Sequence, residues 1–132
     1  NRQLLPLLQV ARKYLFFHLD TVHVIRNYPA IARLQQHYYE DSIRYVRAVL
    51  DLSVGSGNLE PEQYSGQYRR LAHTVWMLMT FWLQQMVIRD LEEPDINDLR
   101  QSIWDLVIPF LTSKGRQHLE NIGRHREPAA EK

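Results

Sequence analysis

Cysteine is absent from the 132 residues. That excludes a disulfide framework, thiolate zinc sites and a cysteine nucleophile together. An excess of charge of one sign is missing too, since 16 basic and 15 acidic residues leave a net of +1. Domains that hold nucleic acid through their own surface are usually clearly basic, so these residues do not read as such a domain. Glycine is scarce, at 5 residues, and no run shows the sustained alternation, broken by frequent turns, that an all-β fold needs. No basic-then-apolar leader with a small-residue cleavage site opens the chain, so nothing points to export and a cytoplasmic location is expected. What is present is ordinary for a globular domain: 45% hydrophobic and 23% charged residues argue against disorder. The length fits one domain that needs no metal or disulfide staple.

Every long segment reads as helix. A first helix is expected from about Gln3 to His18, with Leu4, Leu8, Ala11 and Leu15 on one stripe and Leu7, Tyr14 and Phe17 on the next. Asp20 suits the cap of a short helix through Val22 and Ile25, because an aspartate oxygen accepts the orphan N–H groups of a first turn. Pro29 suits the first position of a second long helix running to about Val54. There Ile31, Leu34, Tyr38, Tyr45, Val49 and Leu52 form one apolar stripe, and Tyr39, Ile43, Val46 and Leu50 a neighbouring one. Gly55-Ser56-Gly57-Asn58 should stop that helix, and Pro61 should open a third, from about Glu62 to Asp90. A fourth is expected from Asp95 to about Thr112, kinked or ended by Pro109, and a short last one from Lys114 to Ile122. The domain is thus expected to span 1–123, with a polar tail over 124–132.

The third helix is the most informative. Eighteen residues without a formal charge, Leu71 to Ile88, separate Arg70 from Arg89. That length reaches the membrane-span threshold, but His73, Thr74, Thr80, Gln84 and Gln85 interrupt it and the other helices are amphipathic. A helix apolar nearly all round is either in lipid or buried on most sides. In so small a domain, burial on most sides implies that one face meets the core and another a second subunit.

Catalytic constellations are poorly supported. Asp20 with His23, and His37 with Glu40, sit three apart and could share an ion. Di-metal bundles want Glu-x-x-His pairs, which are absent. Neither a Gly-x-Ser-x-Gly elbow nor a phosphate-cradling glycine loop occurs. No enzyme, metal or cofactor is therefore expected. The aromatics are more useful, because Tyr, His and Thr on apolar faces supply the few polar handles of small-molecule pockets. Tyr14, His18, Tyr38, His73 and Thr80 would be such handles.

Five segments, in order, form a familiar series: Tyr14-Leu15-Phe16-Phe17-His18-Leu19-Asp20, Asn27-Tyr28-Pro29-Ala30-Ile31, Gly57-Asn58-Leu59, Trp76-Met77-Leu78-Met79-Thr80-Phe81-Trp82-Leu83 and Pro109-Phe110-Leu111-Thr112-Ser113-Lys114-Gly115. From about Leu4 to Ile122 the series resembles the C-terminal domain of TetR/AcrR-type bacterial transcriptional regulators. The resemblance implies an all-α ligand-binding and dimerisation domain whose last two long helices form a four-helix bundle with a twofold mate. It implies a small apolar or aromatic effector held among Tyr14, Phe17, His18, Val22, Tyr38, His73, Trp76, Met77 and Thr80. It implies a homodimer interface from Leu83, Met86, Val87, Ile103, Trp104, Val107 and Phe110. No helix-turn-helix reader precedes Leu4, so DNA contact is expected only through an N-terminal domain missing from this chain. The alternative reading is a helical interaction module with a solid core and no ligand.

Overall fold

The computed structural model describes residues 20–91 and 95–124. The expected first helix, the polar tail beyond Arg124, and Tyr14, Phe17 and His18 lie outside them. Among the described residues the order is α1 (Thr21–Asn27), α2 (Pro29–Gly55), α3 (Gln67–Ile88), α4 (Ile96–Val107), a 3-10 turn (Ile108–Phe110) and α5 (Ser113–Arg124). Among the described residues there is no strand, only an isolated antiparallel bridge between Leu59 and Leu111.

Several ends follow their local chemistry. Pro29 opens α2, as expected. Its last carbonyls are closed by Gly57, left-handed at φ 74, whose N–H donates to Val54 while that of Asn58 donates to Ser53. α3 ends in the same motif with Asp90 at the left-handed position, φ 54, Leu91 N–H reaching the Met86 carbonyl at 3.0 Å. The Asp95 carboxylate caps α4 by accepting from Asp98 N–H at 2.9 Å. Pro109 ends its regular part, and the chain tightens into the 3-10 turn.

Two expected ends are corrected. Asp20 does not cap α1 with its side chain; its backbone, at φ −115 and ψ 22, is not the extended conformation that aims a cap side chain at the first turn. Only its carbonyl is used, accepting from Val24 N–H. Pro61 does not open α3, which begins at Gln67 after a left-handed Gly66. The intervening residues serve the helix end instead. The Glu62 carboxylate accepts from Tyr68 N–H at 2.8 Å and from Arg47 at 2.7 Å, and Gln67 Oε1 accepts from Gln63 N–H at 2.8 Å.

That arrangement holds the Glu62 carboxyl below the ordinary glutamate range, first through the Tyr68 N–H bond and then through Arg47. A carboxylate depressed by folding stabilises the fold above its unfolded pKa and loses that contribution as pH falls. Glu62→Gln should therefore flatten the acid limb of stability below pH 4.5, the ordinary value. Parallel loss of melting temperature in both proteins on acidification would contradict this role.

The two stripes of α2 part company. Val46 and Leu50 pack into the core with Leu59, Tyr68, Leu71 and Leu111, whereas Leu34, Tyr38, Tyr45, Val49 and Leu52 are exposed. One helix presents about 100° of its surface to a neighbour, and α3 takes the Tyr39, Ile43, Val46, Leu50 side. α3 itself turns Tyr68, Leu71, Ala72, Val75, Trp82, Leu83 and Met86 inward. Tyr68 is fully buried, donates to the Glu60 carbonyl and meets Phe110 edge-on at 5.8 Å. Burial, ahead of the neighbouring glutamates, pushes its phenol up and keeps it a neutral donor.

A clasp joins segments fifty or more residues apart. Glu60 N–H donates to Phe110 and Thr112 N–H to Asn58. The Thr112 hydroxyl donates to Gly57 at 2.7 Å and accepts from Gly115 N–H at 3.0 Å, capping α5. The Lys114 ammonium donates to the Ser56 carbonyl at 2.6 Å, where the C-terminal end of α2 favours positive charge.

Candidate functional site

The clasp forms one wall of a cavity of about 430 Å³, within the range of small-molecule sites. α2 contributes Val46, Val49, Leu50 and Ser53; α3 contributes Leu71 and Val75; α4 contributes Ile103, Trp104 and Val107. Asn58, Leu59, Leu111 and Gly115 come from the clasp, and His118, Leu119 and Ile122 from α5. Among the described residues no acidic side chain lines it. Val49, Trp104 and Ile122 are also solvent-exposed, so the cavity opens on that side. Its polar groups differ in what they have left to offer. The Ser53 hydroxyl donates to Val49 and the Asn58 amide to Ser56. The Trp104 indole N–H and the His118 imidazole have no hydrogen-bond partner among the described residues.

The expected pocket residues lie elsewhere. His73 and Trp76, on successive turns of α3, come together with Tyr39 of α2. The Tyr39 hydroxyl bonds His73 Nδ1 at 3.1 Å, and the Tyr39 and Trp76 rings meet edge-on at 4.7 Å. Trp76 Nε1 is buried without a partner, an N–H that a ligand acceptor could satisfy. Thr80 is half-buried on the same helix, while Val22, Tyr38 and Met77 are exposed. Tyr39 belongs to this cluster although its spacing marks it only as core. None of the described members of the expected pocket lines the 430 Å³ cavity. Of the residues that do, the apolar ones of α2 and α4 were legible as core or interface positions, Asn58, Leu59, Leu111 and Gly115 as motif positions, and Ser53 and His118 not at all.

The expected interface residues divide as well. Leu83 and Met86 are buried within the chain, 4% and 8% exposed, because α3 turns them to its own core. Phe110 packs against Tyr68. Val87 is exposed, as are Met77, Phe81 and Ile88, which recur at intervals of four and seven along α3. Ile103, Trp104 and Val107 line the cavity. Among the described residues no three His, Asp or Glu side chains gather in a way that would hold a metal ion. His23 instead meets the Asn27 side chain. No helix among them is long and apolar enough to cross a membrane.

This architecture is similar to that of a TetR-family transcriptional regulator from Marinobacter aquaeolei VT8, with a TM-score of 0.73 at 18% sequence identity. The similarity covers 89% of this chain, which spans 57% of that regulator's length. No curated protein matches the chain. The family model described as "TetR: Bacterial transcriptional repressor" matches residues 1–119. With nearly its whole length matched, and the clasp accounting physically for two of its motifs, the chain belongs to the TetR family of bacterial transcriptional repressors.

Proposed function

We propose that the chain is the effector-sensing and dimerisation domain of a cytoplasmic TetR-type regulator. It binds a small, mainly apolar molecule in the cavity between α2, α3, α4 and α5. It pairs with a second copy through the outer face of α3 and the neighbouring surface of α4. The effector acts by preferring one domain arrangement, and it shifts the population only by that difference in affinity. DNA is reached through reading heads borne on an N-terminal domain, whose separation must match two half-sites.

The observation that supports this reading is the cavity. An interaction module with no ligand is expected to close its interior to native density, and a void of about 430 Å³ among apolar side chains is far from closed. Dimerisation is supported by the exposed apolar residues Met77, Phe81, Val87 and Ile88 on one helix, a grouping that single chains seldom leave to water.

The test is thermal unfolding with 1-dodecanol, a neutral apolar probe. At about a hundred times its Kd, such a probe stabilises a native state by about 2.7 kcal/mol, so the melting temperature should rise by several degrees. The double variant Val49→Trp/Val75→Phe, which puts two rings into the cavity, should abolish the rise. No stabilisation of the wild-type chain, or an undiminished one in the filled variant, would contradict the assignment.

A further inference from the structure

The polar groups left free in the cavity define what the effector carries at its head. Three of the five polar or small contributors are accounted for. The Ser53 hydroxyl donates to the Val49 carbonyl and the Asn58 amide to Ser56 Oγ, and Gly115 N–H donates to Thr112 Oγ1. Two ring N–H groups remain, on Trp104 of α4 and His118 of α5, without partners among the described residues. An indole only donates, and an imidazole donates through both nitrogens when protonated. Among the described residues no Asp or Glu lines the space.

We infer that the effector is an apolar monocarboxylate, its hydrocarbon body inside the cavity and its carboxylate at the mouth between Trp104 and His118. The inference rests on the cavity being the effector site. Two donors from different helices line the same space, and a carboxylate has two oxygens to meet them. A neutral head of the same length makes the weaker bonds of an uncharged acceptor. The bond would tie α4 to α5 across the cavity mouth.

The experiment compares dodecanoate with 1-dodecanol by isothermal titration of the full chain, below the aggregation concentration of either probe. Dodecanoate should bind at least about tenfold more tightly, a difference of 1.4 kcal/mol. In His118→Leu, at an exposed position whose change leaves the core intact, the acid should bind within twofold of the alcohol measured on the same variant. Trp104→Phe, which removes the indole N–H and keeps the ring, should lower the acid's advantage severalfold. Equal binding of acid and alcohol to the wild-type chain, or an acid preference that survives His118→Leu, would overturn the inference and leave the cavity reading standing. If neither probe binds, the cavity reading itself fails and this inference fails with it.

Discussion

Gly115→Ala should destabilise the chain by about 2–3 kcal/mol, the range of a forced overpacking. That corresponds to about 10 °C in melting temperature for a domain of this size. The sign is opposite to the usual one, because alanine is favoured over glycine inside a helix by about 1 kcal/mol. Position 115 lies in the first turns of α5, where the helix touches the turn after α2. A Cβ there would stand 2.1 Å from the Asn58 carbonyl oxygen and 3.0 Å from its carbon, with Leu111 Cδ2 at 3.1 Å. Backbone cannot swing aside as a side chain does, so α5 must move away. That motion stretches the bonds of Thr112 to Asn58 and of Glu60 to Phe110. It also widens the cavity on the side formed by Asn58, Leu111 and Gly115. Gly55→Ala is the control, since nothing lies within 4 Å of a Cβ at that position. It should be neutral or slightly stabilising. Equal melting temperatures for the two variants would show that the clasp is not closed as described.

The double variant Val87→Asp/Ile88→Asp should leave the single chain folded and separate the dimer. Both side chains are exposed in the protomer, at 56% and 85%, so a carboxylate at either is solvated there. In a twofold interface each substitution is counted twice. Burying an unpaired polar group costs about 1–3 kcal/mol in proteins, and a charge more. A loss of about 4 kcal/mol weakens the dimer about a thousandfold. Light scattering at micromolar concentration should give the mass of two chains for the wild-type protein and of one for the variant, with the helical circular-dichroism signal unchanged. A variant that stays dimeric would place the interface away from the outer face of α3.

Sequence periodicity carried the helices further than it carried their partners. Pro29, Gly57, Asp95 and Pro109 mark ends because each acts on its own backbone, through a fixed φ, a left-handed turn, an accepted N–H or a lost donor. Such effects are local and readable in order. The choice between the two stripes of α2 is not local, since both are apolar and only the approach of α3 decides that Leu50 is buried and Leu52 is exposed. The late start of α3 was hidden for the same reason. Glu62 looks like a first-turn residue until Arg47, fifteen residues earlier, is seen to hold it as a cap. The cavity is the extreme case, assembled from Val46 through Ile122, and a void leaves no trace in spacing. The motif resemblance did better than periodicity here. Gly57-Asn58-Leu59 and the Pro109 to Gly115 segment are distant in sequence, and the structure shows them bonded to one another.

A crystal structure of the chain grown with 1-dodecanol tests most directly whether it is a paired domain that holds an apolar molecule. Two chains related by a twofold axis are expected, facing each other across Met77, Phe81, Val87 and Ile88, with an alkyl chain in each protomer between Leu71, Val75 and Trp104. A single chain whose interior has closed over these residues, with the alkyl chain bound elsewhere or not at all, would contradict that expectation.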